Sequence, residues 1–158
     1  MPVEVGQRAP DFTLKSGDND DVSLGDFRGK RNVVLVFYPA AFSGFCTDQL
    51  TAIAANEGRY VSEDAQIIGV LVDNRNSNRA FAEQLGLTDA ILLSDFEPKG
   101  AVAREYGVYL DGPGLAGRAT FVIDLDRRVL EAFSSELDMN AHADRALAAL
   151  RSRRALSR

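Results

Sequence analysis

The sequence predicts an α/β domain in which a central mixed sheet is flanked by helices. Two kinds of segment carry that expectation. Apolar runs of strand length, NVVLVFYP at 32–39 and QIIGVLVD at 66–73, alternate with stretches whose apolar residues recur at helical spacing. A hairpin followed by a helix closes the pattern. With 158 residues, 46% of them hydrophobic and 26% charged, the chain is long enough for one compact domain with a real core.

Taken in order, Phe12 to Lys15 and Asp21 to Leu24 flank the turn-rich GDND (Gly17 to Asp20) and read as an N-terminal β-hairpin. NVVLVFYP is nearly continuous in apolar residues, as a central strand covered on both faces would be. After Ser43 and Gly44 the period changes: Leu50, Ile53, Ala54, Tyr60 and Val61 follow a helical repeat, with Asp48 near its start. QIIGVLVD is the next strand, a helix is expected around Asn78 to Leu85, and AILLSD (Ala90 to Asp95) is a third strand. GAVAREYG (Gly100 to Gly107) reads as a short helix, ATFVID and RRVLEAF as a hairpin, and Asn140 to Arg151 as an amphipathic helix. A thioredoxin-like arrangement fits this order best. The domain is expected to span residues 1–150, with a basic tail at 151–158.

The net charge of −5 and a pI near 4.9 argue against general affinity for nucleic acid or anionic membranes. The segment RSRRALSR holds four arginines and no acid; without it the chain's −5 becomes −9. These arginines either complement the carbonyl end of the last helix or form a solvated tail. The longest apolar run, Val33 to Phe42, is short of the ~18 residues of a membrane span, and the N-terminus lacks a basic start followed by an apolar stretch. A cytoplasmic, unprocessed protein is expected.

Some motifs mislead. GPGLAG (Gly112 to Gly117) fits a dinucleotide-binding pattern but precedes a strand and opens no helix, so it reads as a flexible loop delivering Arg118. The acidic GDNDD lacks the glycine and terminal acid of a calcium loop and reads as a solvated turn. His142, the one histidine, lies among alanines in the last helix and reads as a surface residue rather than a general base. One cysteine and one histidine are too few for a thiolate-rich or imidazole-rich metal site, and neither a metal nor a cofactor is expected.

Cys46, the only cysteine, stands where the strand NVVLVFYP gives way to a polar segment. It has no partner for a disulfide within its own chain. A thiol with an ordinary pKa of about 8.5 is only roughly 3% thiolate at neutral pH, and lowering that pKa to about 6 takes about 3.4 kcal/mol of differential stabilisation. Three nearby features supply candidates. Ser43 as N-cap places Cys46 in the first helical turn, where free N–H groups favour an anion. Pro39 ends the strand and fixes the loop. Arg118, at the start of ATFVID, brings a cation if adjacent strand ends meet. The competing reading is a buried, inert cysteine.

PAAFSGFC (Pro39 to Cys46) resembles the peroxiredoxin signature of Pro, three residues, Thr or Ser, two residues and the peroxidatic Cys, with Gln49 where that family has Glu or Gln. APDFTL (Ala9 to Leu14), NVVLVFYP, LLSDF (Leu92 to Phe96), AVAREYGV (Ala101 to Val108) and RATFVID (Arg118 to Asp124) resemble peroxiredoxin segments in the same order. The loop GLAGRATFVID and the single cysteine are most similar to the one-cysteine alkyl hydroperoxide reductase E branch of the AhpC/TSA family. The resemblance implies a thiol-dependent peroxidase acting on hydrogen peroxide and organic hydroperoxides. Cys46 would be the nucleophile, shielded by Pro39; Ser43 would position the peroxide, Arg118 would stabilise thiolate and transition state, and Gln49 would orient an arginine.

Two departures matter. Serine replaces the commoner threonine at 43, and Thr51 stands where some relatives carry a resolving cysteine, so an external thiol or dithiol protein must be the reductant. Phe42 and Phe45 bracket Ser43 and Gly44 in a loop that cannot bury every ring locally, which implies a homodimer contact or a rim for an organic peroxide. The alternatives are a thioredoxin-fold interaction module with a structural Cys46, or a monothiol glutaredoxin-like transferase. The latter would carry a proline just before the late strand, where Arg118 stands.

Overall fold

The structure, a computed structural model, describes residues 3–39, 51, 55, 57–87, 89–96, 98–134 and 139–156, with the backbone alone at 115, 139–143 and 153–156. Nine strands and four α-helices run in the order β1 (Thr13–Ser16), β2 (Asp21–Ser23), β3 (Asn32–Phe37), α1 (Glu57–Ser62), β4 (Ala65–Leu71), α2 (Arg75–Leu85), β5 (Ile91–Ser94), α3 (Ala101–Glu105), β6 (Tyr109–Leu110), β7 (Leu115–Ala116), β8 (Ala119–Ile123), β9 (Val129–Ser134) and α4 (Met139–Leu156) among the described residues, with a 3-10 turn at Leu24–Phe27 after β2. Seven strands form one sheet in the order β2-β1-β5-β4-β3-β8-β9. β3 pairs in parallel with β4 and β4 with β5, while β8 joins β3 antiparallel. The sheet is mixed, as the sequence predicts.

The apolar run of β3 divides by strict alternation. Val33, Leu35 and Phe37 enter one core with Phe12, Leu24, Val102 and Tyr106; Val34, Val36 and Tyr38 enter the other with Tyr60, Phe81, Leu147 and Leu150. Thus α1, α2 and α4 cover one face of the sheet, and α3 with the N-terminal segment covers the other. A strand apolar at every position is the consequence of two covered faces. Packing across β4 is tight enough to require a glycine: a Cβ on Gly69 would lie 2.6 Å from Leu92 Cδ2 and 3.2 Å from the Tyr38 ring.

The N-terminal hairpin has the expected place, with Thr13 opposite Ser23 and Lys15 opposite Asp21, and β1 attaches it to the sheet through β5. Helix α2 begins three residues before Asn78 because the Asn74 side chain accepts a 2.9 Å bond from the Ser77 N–H and caps it there. Its other end is closed by Gly86 at φ 71°, with Gly86 N–H bonded to Glu83 O and Leu87 N–H to Ala82 O. Helix α4 runs beyond Arg151 to Leu156, through a segment free of glycine and proline.

Two expectations need correction. Val61 does not share the buried stripe of Tyr60: it is 45% exposed, since adjacent helical residues point about 100° apart and Tyr60 takes the inward position. GPGLAG is also not a shapeless loop. Its last residues return as β7 against β6, pairing Tyr109 with Ala116 and Leu110 with Leu115, and Gly114 takes the left-handed φ of 71° that the turn requires.

Two buried tyrosines make the fold sensitive to alkali. Burial, helped by the charge of Asp144, pushes the Tyr60 hydroxyl up to about 12. Burial also raises that of Tyr106, which donates a 2.7 Å bond to the Pro10 carbonyl. Above about pH 10 the unfolded chain releases phenolic protons that the folded protein retains. Their contribution is therefore complete below about 10 and falls as pH rises from there, that of Tyr60 being lost through about 12 and that of Tyr106 higher still. Urea unfolding between pH 9 and 11.5 should show a falling midpoint, and Tyr60→Phe should flatten that fall by up to about 1.4 kcal/mol per pH unit.

Candidate active site

The carboxyl ends of β3 and β4 lie side by side, with Phe37 opposite Val70 and Tyr38 N–H donating to Val70 O at 3.1 Å. Pro39 follows, half-buried, and cannot donate a further ladder bond. On the other flank of β3 the antiparallel β8 begins at the same level, since Phe37 is paired with Ala119. Arg118, one residue before Ala119, therefore stands at the end of the sheet where the chain leaves β3. It is 3% exposed. The meeting of strand ends expected from the sequence is present, and it brings Pro39 and Arg118 to one edge. Cys46, Ser43, Phe42, Phe45 and Gln49 lie outside the described residues.

The backbone around Arg118 is fixed from both sides. Before it, the Gly117 N–H donates to Val108 O at 2.7 Å, tying the β6–β7 ribbon to the chain entering β8. The Arg118 carbonyl accepts a 3.1 Å bond from Ser134 Oγ at the end of β9, and the next residue, Ala119, is paired with Phe37 on one flank and Ser134 on the other. The ribbon is in turn packed on α3. The guanidinium of Arg104 lies 4.0 Å from the centre of the Tyr109 ring and 2.9 Å from Asp111, and a Cβ on Gly100 would collide with that ring.

A second polar group at this edge is Asp95, which the sequence reading passed over inside LLSDF. It is 1% exposed, and its two oxygens accept from the N–H groups of Val102 and Ala103 at 3.1 and 2.9 Å. Its own N–H reaches Leu71 O at 2.8 Å, so one residue links the ends of β4 and β5 to the first turn of α3. Burial raises its carboxyl above the usual range, against the pull of those two N–H groups. The signal available in the sequence was an acid shortly before a helix, too common a pattern to single out.

Among the described residues no three His, Cys, Asp or Glu side chains are grouped to hold a metal ion, and no helix is long and apolar enough to cross a membrane.

Residues 5–132 match the AhpC/TSA family. The chain belongs to that family, the peroxiredoxins. It is 39% identical over 122 residues to alkyl hydroperoxide reductase E of Mycobacterium tuberculosis, covering 77% of this chain and 79% of the relative. It is 37% identical over 151 residues to the chloroplastic peroxiredoxin Q of Gentiana triflora, covering 95% and 68%. The crystal structure of peroxidoxin BcpB from Mycobacterium tuberculosis superposes with a TM-score of 0.87 at 37% identity, covering 95% of this chain and 97% of that one. This peroxiredoxin is a thiol-dependent peroxidase with the thioredoxin-like fold expected from its sequence, and its single cysteine is consistent with a one-cysteine route.

Asp95 supports this edge by structure alone, which sets an order of stabilities. Asp95→Ala leaves two buried N–H groups without their acceptor and should cost roughly 2–4 kcal/mol in urea unfolding, while Asp95→Asn, which keeps one acceptor oxygen, should fall between that variant and the parent.

Proposed function

We propose that Cys46 is the peroxidatic nucleophile of a one-cysteine peroxiredoxin that reduces hydrogen peroxide and organic hydroperoxides. The observation that carries this reading is the Phe37–Ala119 pairing, which holds Pro39 and a buried Arg118 at the edge where the segment bearing the only thiol begins. The name of the relative from Mycobacterium tuberculosis, alkyl hydroperoxide reductase E, supports the organic substrates.

The Cys46 thiolate attacks the nearer oxygen of the peroxide in line with the O–O bond. That bond breaks, the farther oxygen takes a proton and leaves as alcohol or water, and Cys46 becomes a sulfenic acid. Donors from Ser43, Arg118 and the Cys46 N–H stabilise charge growing on the leaving oxygen, where preorganised dipoles act most strongly. Gln49 orients an arginine through its amide oxygen. Serine at 43 keeps the hydroxyl but loses the methyl that restricts a threonine's rotamers. An external thiol then displaces water from the sulfenic acid to give a mixed disulfide, and a second thiol releases Cys46 with formation of the external disulfide. Phe42 and Phe45 form the rim of the pocket and contribute to a homodimer contact beside it, and the protein works in the cytoplasm.

Cys46→Ser should abolish peroxidase activity, and Arg118→Ala should raise the Cys46 pKa and slow peroxide attack at least about tenfold, as loss of a charged donor does. Peroxide titrated without reductant should be consumed to one equivalent, after which the protein mass gains one and then two oxygens. A Cys46–Cys46 linked dimer as the main product on nonreducing electrophoresis would defeat the external-thiol step. Sedimentation at micromolar concentration should give a dimer, and a monomer there would remove the proposed contact.

A further inference from the structure

We propose that Ser134 is a positioning residue for Arg118. The inference rests on the reading above, in which Arg118 is the cation of the peroxide site. Arg118 stands just outside β8, whose first residue, Ala119, is paired with Ser134. The Ser134 hydroxyl donates to the Arg118 carbonyl at 3.1 Å and so adds one bond beyond the last paired position of the β8–β9 ladder. On the other side the Gly117 N–H is bonded to Val108 O at 2.7 Å. Of the two peptide groups that flank the Arg118 Cα, the one that follows it carries the carbonyl held by the Ser134 hydroxyl and the N–H of Ala119, which is paired with Phe37, while the bond from Gly117 N–H to Val108 fixes the peptide group one residue further back.

A guanidinium lies on the order of 6 Å out along its stem, so a backbone tilt of ~10° moves it by about 1 Å, the scale at which misplacement affects catalysis. Arg118 is 3% exposed, and its surroundings admit few alternative rotamers. Aim set at its backbone therefore persists to its tip. Ser134 touches neither the reacting sulfur nor the peroxide in this scheme; it acts through the residue it holds.

The test compares the full-length parent with Ser134→Ala, Ser134→Thr, Ser134→Val, Arg118→Ala and the double variant Arg118→Ala/Ser134→Ala. Two quantities are read: the pH midpoint of Cys46 alkylation by iodoacetamide, and the second-order rate of Cys46 oxidation by hydrogen peroxide, followed by rapid quench and protein mass. Arg118→Ala should move the midpoint up and slow oxidation. Ser134→Ala should move both the same way by less, about 3- to 5-fold in rate, as expected for one neutral hydrogen bond. Thr at 134, which keeps the hydroxyl, should behave as the parent, and Val, its isostere without one, as Ala; this pair remains informative if Ser134→Ala folds poorly. The double variant should be no slower than Arg118→Ala.

A midpoint that moves in Arg118→Ala but not in Ser134→Ala or Ser134→Val would overturn the role of Ser134 and leave that of Arg118 intact. Fully additive losses in the double variant would also overturn it, because Ser134 would then act by a route other than Arg118. An unmoved midpoint in Arg118→Ala would remove the reading on which the inference rests, and the inference with it.

Discussion

The antiparallel pairing of β8 with β3 is the constraint on which the rest of the molecule depends. β3, β4 and β5 run parallel and end together, as strands joined by helical crossovers do. β8 reverses that direction, so the strand that starts where the others finish delivers its first residues to their carboxyl edge. A parallel strand in the same place would put Arg118 at the opposite end of the sheet, some 15–20 Å away for strands of this length. The chemistry assigned to the edge thus follows from strand direction as much as from residue identity.

The same pairing fixes which face each side chain takes. Val33, Leu35 and Phe37 lie opposite Ile123, Phe121 and Ala119, and these six enter one core together, while Val34 opposite Val122 enters the other. A slip of one residue would turn every one of these chains to the wrong face. Both faces are covered, so a slipped register would exchange residues between two cores of different shape, and close packing rather than polarity selects this one. The crowding at Gly69, between Leu92 and the Tyr38 ring, is the local mark of that two-sided packing just below the edge.

How much of this the sequence made legible depended on how far each signal reaches along the chain. NVVLVFYP and QIIGVLVD were readable as strands because continuous apolar residues leave few alternatives, and the short helix GAVAREYG and the two hairpins carried their own turn residues. The β6–β7 ribbon was not readable: two residues per strand give no period, and it is held by Tyr109 against Gly100 and Arg104, contacts between segments that sequence spacing does not relate. Val61 was misplaced because a helical repeat tolerates one extra apolar neighbour of Tyr60, and only packing decides which of the two is buried. Pro39 and Arg118 were named from chemistry and resemblance, but their convergence needed a register. Asp95 and Ser134 were invisible for a related reason: each acts through backbone groups, Val102 and Ala103 for one and Arg118 for the other, that no residue pattern announces.

The energetics of the proposed thiolate make that backbone support consequential. Taking the thiol from about 8.5 to about 6 requires about 3.4 kcal/mol, while a helix N-terminus gives typically 0.3–1 kcal/mol and up to about 2 in partly buried sites. The balance falls to the cation. Arg118 is 3% exposed, so an anion beside it interacts through little intervening solvent and more strongly than beside an exposed arginine. Thiolate and arginine then stabilise each other reciprocally, and the gain varies steeply with distance where little solvent screens them. Fixed position, more than charge alone, is what the site must provide; a sheet edge pinned by paired strands and one hydroxyl meets that need better than a free loop would.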